Sequence, residues 1–134
     1  MAELGIEHLH IWKVRPYSKF VLLVDDDPAD LFIFKRLLER ADFQVIATPQ
    51  AETAMTAIVA GEVGCLITDQ MMPISGQELI TYVRLVRSDV DVILLSGSDA
   101  PRETLPPDTI FIRKHERQKL VETVVGCMYR HRSA

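Results

Sequence analysis

The sequence predicts an α/β fold in which helices cover both faces of a parallel β-sheet. Short apolar runs rich in valine, leucine and isoleucine recur along the chain, and segments with helical spacing of apolar residues separate them. Strands that alternate with helices in this way are typical of parallel sheets. The 134 residues, 48% hydrophobic and 25% charged, suffice for one domain with a buried core. No apolar run approaches the roughly 20 residues of a membrane span.

Five segments are predicted as strands. The first, Phe20–Val24, is continuously apolar, as expected of a strand that is buried on both faces. The others are Phe43–Ala47, Cys65–Thr68, Val92–Leu95 and Thr109–Ile112. Five strands joined by right-handed crossovers predict a flavodoxin-like, doubly wound five-stranded parallel sheet of order 2-1-3-4-5.

Capping residues delimit the predicted helices. Asp27 before Pro28 is a helix start. Asp42 is expected in left-handed backbone after the first helix, and Gly61 is expected to stop the second. The four predicted helices cover residues 28–40, the segment from Thr48-Pro49 to Gly61, Gln77–Arg87, and about His115 to Tyr129.

The segment between the fourth and fifth strands is too short for a full helix. Only residues 96–108 are available, and Pro106 biases Leu105 away from helical backbone. A helix can begin at Pro101, but at most about one turn fits between it and Pro106. The sequence therefore predicts that this fourth crossover helix is short or missing.

Charge and cysteine usage bound the class of protein. The net charge is -4, but residues 20–109 hold 15 acidic and 6 basic side chains, whereas residues 110–134 hold 6 basic and 2 acidic ones. The sequence pI of about 5.5 argues against direct nucleic-acid binding despite this basic end. Cys65 and Cys127 lie in apolar segments without metal-ligand spacing, which indicates reduced, buried thiols and a cytoplasmic location.

Polar side chains stand where four of the predicted strands end. Asp25 and Asp26 follow the first strand, Asp69 the third, Ser96 the fourth and Lys114 the fifth. In an open parallel sheet these ends meet at one edge, where ligands bind. Crowded carboxylates repel one another and raise some of their pKa values, a conflict that a hard divalent cation such as Mg²⁺ removes.

Such an edge suits a phosphoryl group. A metal ion and an ammonium group neutralise phosphate oxygens, and a hydroxyl donates to another. Asp69 could then act as a nucleophile and form an aspartyl phosphate. Taken singly, each residue also has a structural interpretation: the acidic pair could be solvated loop residues, and Ser96 and Lys114 could be ordinary strand-end and surface residues.

Four segments together resemble the receiver domain of two-component response regulators. They are Val24–Pro28, Thr68–Gly76, Leu94–Gly97 and Phe111–Lys114. The similarity spans residues 20 to about 130. It rests on the order of the segments and on their positions at strand ends.

The resemblance implies a phosphoacceptor site that requires Mg²⁺. Asp69 matches the phosphoacceptor, and Lys114 matches the lysine that contacts the phosphoryl group. Asp25 and Asp26 match the acidic pair that holds the metal. Asp69 and the backbone carbonyl of Met71 complete the implied metal ligands.

The resemblance also implies a conformational switch. Ser96 matches the hydroxyl residue that moves toward the phosphoryl group, and Phe111 matches an aromatic residue that turns inward as it does so. An ordinary core role for Phe111 remains the alternative. The chain departs from the family pattern at the shortened fourth crossover and at His115, where the family usually has proline.

The implied function is that of a receiver domain. It takes a phosphoryl group from a sensor histidine kinase or histidine phosphotransfer protein and regulates a downstream protein partner, with no enzyme activity beyond its own phosphorylation and dephosphorylation. We expect residues 1–19 to be a leader of unassigned role, residues 20–130 a stand-alone receiver domain, and residues 131–134 a tail. A homodimer is compatible with this function, and no membrane contact is expected.

Two alternatives remain at this point. A degenerate receiver would keep the fold but act as a phosphorylation-independent protein interaction module. A phosphatase of the haloacid-dehalogenase type also forms an aspartyl phosphate, but it needs a second aspartate two residues after the nucleophile. This chain has Met71 there.

Overall fold

A five-stranded parallel sheet organises residues 19–70, 72, 74–101 and 104–129, which the computed structural model describes. Its elements are β1 (Phe20–Val24), α1 (Pro28–Arg40), β2 (Val45–Thr48), α2 (Ala51–Ala60), β3 (Val63–Asp69), α3 (Gly76–Val86), β4 (Asp91–Ser96), β5 (Thr109–Arg113) and α4 (Arg117–Tyr129). The strand order is β2-β1-β3-β4-β5, and every pairing is parallel. The predicted doubly wound fold is confirmed.

The sheet separates two apolar cores. Because side chains alternate along a strand, Val21 and Leu23 of β1 face one core, and Leu22 and Val24 face the other. Helices α1 and α4 cover the first core with Phe34, Leu38, Leu120 and Val124. Helices α2 and α3 cover the second with Ala54, Ile58, Leu79, Ile80 and Val83. All seven residues of β3 are buried, so its carboxyl end is held rigidly.

Several predicted caps are confirmed. The carboxylate of Asp27 accepts hydrogen bonds from the backbone N–H groups of Ala29 (2.9 Å) and Asp30 (3.4 Å) at the start of α1. Asp42 after that helix has φ 71°, and Gly61 after α2 has φ 90°. These residues therefore start and stop the helices as their chemistry predicts.

Two helices begin two residues later than predicted. Helix α2 begins at Ala51 rather than at Thr48-Pro49, because Thr48 closes β2 and its hydroxyl accepts a hydrogen bond from the N–H of Gln50. The last helix begins at Arg117 rather than at His115, since the residues between it and β5 form a turn.

Strand and helix bounds also shift by one to two residues. Strand β2 begins at Val45 instead of Phe43, whose buried ring packs in the core beneath α1. Strand β3 extends beyond the predicted Cys65–Thr68 at both ends. Helix α3 begins one residue earlier than predicted, at Gly76.

The crossover from β4 to β5 contains no helix within residues 97–101 and 104–108, as predicted. The Arg84 guanidinium of α3 secures it by donating to the carbonyl oxygens of Pro107 (3.3 Å), Asp108 (2.9 Å) and Val90 (2.9 Å). Leu105 packs against the core beneath α2 and α3. Arg84 and Leu105 thus hold this segment against the rest of the domain, although its described residues form no helix.

Most of the predicted leader and all of the predicted tail lie outside the described residues, as residues 1–18 and 130–134 do. The domain bounds therefore stay a prediction. None of the helices formed by the described residues is long and apolar enough to cross a membrane.

Candidate functional site

The carboxyl ends of four strands converge on one edge of the sheet. Asp25 and Asp26 follow β1, and Asp69 is the last residue of β3. Ser96 ends β4, and Lys114 follows β5 directly. The structure thus brings together all five side chains that sequence reasoning placed at this edge.

Three carboxylates form the acidic part of the site. Asp25, Asp26 and Asp69 each offer an oxygen, and these oxygens lie within 4.8 Å of one another. Asp25 and Asp69 are buried, whereas Asp26 is exposed. Burial raises the pKa of Asp25, although its Oδ1 accepts a 2.9 Å hydrogen bond from the N–H of Asp27. The crowding of carboxylates expected from the sequence is present, and the charge of Asp69 contributes to the raised pKa of Asp25, although burial is the larger cause.

Lys114 supplies the positive charge of the site. Its Nζ lies 3.0 Å from Oδ2 of Asp25 and 3.3 Å from Oδ1 of Asp69. It also donates a hydrogen bond of 2.7 Å to Oδ2 of Asp30. Burial lowers the pKa of Lys114, but the contacts with Asp30 and Asp25 and the charge of Asp69 outweigh this effect and raise it overall. The side chain is therefore a cation at neutral pH.

Ser96 lies between the lysine and the loop after β4. Its buried hydroxyl accepts a 3.0 Å hydrogen bond from the N–H of Ser98, and its carbonyl oxygen accepts a 2.7 Å hydrogen bond from the N–H of Lys114. The ends of β4 and β5 are thereby joined through the backbone. A change in the position of Ser96 would be transmitted directly to Lys114.

Gly76 allows α3 to begin close beside Asp69. A Cβ at this position would lie 2.5 Å from the carbonyl oxygen of Asp69 and 2.6 Å from Cδ1 of Leu94. Either distance is too short for a real contact. The helix begins here with a capping box in which Ser75 and Glu78 exchange hydrogen bonds. Because Gly76 has no side chain, α3 can begin in close contact with the end of β3.

Phe111 is partly buried and packs against the core beneath α2 and α3. It lies opposite Leu94 in the pairing of β4 and β5, two residues before Ser96 is reached along β4. This placement is compatible with both the core role and the switch role. Met71, whose carbonyl was predicted to bind metal, lies outside the described residues.

Asp30 is a member of the site that sequence reasoning missed. It stands in the first turn of α1, beside the acidic cluster, and is separated from Lys114 by 84 residues. An acid in a first helical turn is ordinarily explained by the helix dipole. Asp30 could have been found in the sequence from its position three residues after the capping Asp27, at the sheet edge where the other aspartates lie.

The donor set fits a hard divalent cation. Oδ2 of Asp25 is buried and has no aligned hydrogen-bond donor among the described residues, although Lys114 Nζ lies 3.0 Å away. Carboxylate oxygens are the protein ligands that Mg²⁺ favours, and it usually retains several waters. The exposure of Asp26 leaves room for those waters. Asp25, Asp26 and Asp69 are the described residues that would hold the ion.

The chain matches known proteins over most of the sheet. The family model described as the response regulator receiver domain matches residues 21–105, more than half of the chain. The chain is 34% identical over 84 residues to Two-component response regulator ARR14 of Arabidopsis thaliana and 37% identical over 80 residues to Heme response regulator HssR of Staphylococcus saprophyticus. These matches cover 60% and 59% of this chain but only 22% and 35% of the two relatives.

Solved structures share the fold. A CheY-like receiver domain protein from Methanospirillum hungatei superposes with a TM-score of 0.74 at 21% identity, covering 88% of this chain and 100% of that one. Response regulator protein TrrA of Thermotoga maritima, solved in complex with Mg²⁺-BeF, gives a TM-score of 0.74 at 26% identity, covering 81% of this chain and 98% of its own. The family match over more than half of the chain shows that it belongs to the response regulator receiver domain family.

Proposed function

We propose that Asp69 accepts a phosphoryl group from a phosphohistidine. The observation that carries this proposal is the placement of Asp69 between a lysine ammonium at 3.3 Å and two further carboxylates. In the transfer, a carboxylate oxygen of Asp69 attacks phosphorus, so that a P–O bond forms and the P–N bond breaks. The electron pair of the broken bond stays on the imidazole nitrogen, which takes up a proton. The reaction is a single group transfer, and no activity on other substrates is proposed.

Lys114 and the acidic pair prepare the site for the incoming charge. The ammonium of Lys114 is positioned to donate to a phosphoryl oxygen on Asp69. Asp25, Asp26, Asp69 and the backbone carbonyl of Met71 would hold Mg²⁺, which when bound neutralises charge on the phosphoryl oxygens. TrrA, which shares the fold, was solved with Mg²⁺-BeF, and this supports the assignment.

We propose that Ser96 and Phe111 form the output switch. The hydroxyl of Ser96 would leave the N–H of Ser98 and donate to a phosphoryl oxygen, since a hydroxyl can serve in either role. Phe111, on the neighbouring strand, would repack toward the space that Ser96 leaves. These movements then shift the equilibrium between two conformations of the domain. A downstream protein partner or a second copy of the chain binds one of the two conformations.

The phosphodonor is a histidine kinase or a histidine phosphotransfer protein in this proposal. A groove on α1 and the start of α4 offers a docking surface, which is lined by Phe32, Ile33, Arg36, Leu37, Arg40 and Arg117. Phe32 is 62% exposed, and the guanidinium of Arg36 lies 5.7 Å from the centre of its ring. This apolar and basic surface complements a donor that presents apolar and acidic side chains. Cys65 and Cys127 are both buried and form no disulfide with each other, which supports a reducing, cytoplasmic setting.

Beryllofluoride, a mimic of the phosphoryl group, tests the proposal. Titration of the protein with beryllofluoride in the presence of Mg²⁺ should show saturable binding by ¹⁹F NMR. The Asp69→Asn variant removes the acceptor charge at constant shape and should not bind. If the wild-type protein shows no binding, the phosphoacceptor assignment fails.

The degenerate-receiver alternative is favoured by one observation, the absence of a helix in residues 97–101 and 104–108. A partner that binds the chain equally well with and without beryllofluoride would support it. A partner whose affinity changes with beryllofluoride, and only when Asp69 is intact, would support the phosphorylation switch.

A further inference from the structure

Asp30 makes the shortest contact of the Lys114 ammonium. The Nζ–Oδ2 distance is 2.7 Å, against 3.0 Å to Asp25 and 3.3 Å to Asp69. Among the described residues, Asp30 is also the side chain that accepts an aligned hydrogen bond from this ammonium. Both partners are largely shielded, with side-chain exposures of 31% for Asp30 and 20% for Lys114. A contact of this length and charge is among the stronger hydrogen bonds in proteins.

Both ends of this contact are fixed by other bonds. Asp30 lies in the first turn of α1, where its N–H donates to the capping carboxylate of Asp27. The backbone of Lys114 is tied to Ser96 by a 2.7 Å hydrogen bond. The fold therefore fixes the two main-chain positions from which the side chains of Asp30 and Lys114 reach each other.

The contact places a competing anion beside the phosphoacceptor. An ammonium has three N–H donors, and a carboxylate that holds one of them also attracts its charge. A phosphoryl group on Asp69 would have to share Lys114 with Asp30. We propose that Asp30 is a positioning residue that draws Lys114 away from Asp69 and weakens the hold of the lysine on a phosphoryl group there. The proposal rests on the phosphoacceptor function assigned to Asp69.

Beryllofluoride binding measures this competition directly. In saturating Mg²⁺, calorimetric titration of Asp30→Asn should show affinity for beryllofluoride about tenfold above that of the wild-type protein, the size expected for one shielded charge contact. Glu39→Gln is the matched control. Glu39 is a carboxylate of the same helix that contacts Lys35 at 2.8 Å, more than two turns away from the site. Its affinity should equal that of the wild type.

A double-mutant cycle separates action through Lys114 from a general charge effect. In a Lys114→Met background, Asp30→Asn should leave beryllofluoride affinity unchanged, because no ammonium remains to be released. An equal gain in both backgrounds would overturn the proposal. So would a role limited to the helix dipole, in which Asp30→Asn lowers the melting temperature and leaves affinity unchanged.

The outcomes also distinguish this proposal from the function on which it rests. A wild-type protein that does not bind beryllofluoride contradicts the phosphoacceptor function itself. A wild-type protein that binds, together with an Asp30→Asn variant that binds equally or more weakly, leaves that function intact and overturns the role of Asp30.

Discussion

The backbone N–H of Lys114 donates a 2.7 Å hydrogen bond to the carbonyl oxygen of Ser96. The two residues whose side chains would contact a phosphoryl group are thus joined through the main chain at the ends of neighbouring strands. A shift of the backbone at the end of either strand would therefore alter a hydrogen bond to the other strand. In the proposed switch, this hydrogen bond connects the two phosphoryl-binding residues to the main chains of both β4 and β5.

The close approach at Gly76 leads to a stability prediction. We expect Gly76→Ala to lower the free energy of unfolding by about 2 kcal/mol, because the new Cβ would overlap the carbonyl oxygen of Asp69. Urea unfolding followed by circular dichroism measures the change. Gly126→Ala, where a Cβ in α4 meets nothing within 4 Å, should instead be neutral or stabilise by up to about 1 kcal/mol. Equal effects of the two substitutions would contradict the assigned contact.

Metal binding should stabilise the fold through the acidic cluster. At a Mg²⁺ concentration about a hundred times Kd, the free energy of unfolding should rise by about 2.7 kcal/mol, and chelation should reverse the gain. Asp26→Asn should abolish this response and leave the metal-free protein nearly unchanged, since Asp26 is exposed. Asp42→Asn removes a charge at the opposite edge of the sheet, and this variant should retain the Mg²⁺ response. An undiminished Mg²⁺ response in Asp26→Asn would exclude this site.

The ion pair of Arg113 with Glu116 predicts a pH dependence. Side-chain and backbone hydrogen bonds from Arg113 lower the pKa of Glu116 from 4.5 to about 2. A lowered carboxyl pKa contributes stability above the unfolded value of 4.5, and this contribution disappears as the pH falls toward 2. Glu116→Gln should therefore lower the urea midpoint at pH 7, and its difference from the wild type should shrink as the pH falls from 4.5 through about 2. Glu122→Gln, within the following helix α4, is the control and should leave the urea midpoint at pH 7 nearly unchanged.

The fourth crossover should loosen when its arginine is removed. Arg84→Ala should lower the free energy of unfolding by about 2 kcal/mol, because carbonyl oxygens of Val90, Pro107 and Asp108 lose a charged donor. Hydrogen exchange in residues 104–108 should speed up more than exchange in β3. Arg36→Ala, which removes an arginine from the exposed face of α1, should change neither quantity by a comparable amount. Unchanged hydrogen exchange in residues 104–108 of Arg84→Ala would contradict the role of Arg84 in holding this crossover.

The sheet and the main site could be predicted because both follow from short-range patterns. Apolar runs identify the strands, and parallel topology alone brings Asp25, Asp69 and Lys114 to one edge. Local chemistry also predicted Asp27, Asp42 and Gly61 at the helix ends. The lack of a helix in the described residues 97–101 and 104–108 followed from the spacing of three prolines.

Features that depend on three-dimensional detail could not be predicted in this way. The contact of Asp30 with Lys114 joins residues 84 positions apart, and no local pattern marks such a pair. The predicted start of α2 was wrong because threonine is a common N-cap residue, whereas Thr48 is the last residue of β2. The steric need for Gly76 arises only once α3 lies against the end of β3.

Peptide mass spectrometry after incubation with acetyl phosphate and Mg²⁺ tests the phosphoacceptor role of Asp69 most directly. The peptide that contains Asp69 should gain one phosphoryl group in the wild-type protein, and the Asp69→Asn variant should gain none. A phosphoryl group that persists in Asp69→Asn, or its absence from the wild-type protein, would contradict the role assigned to this residue.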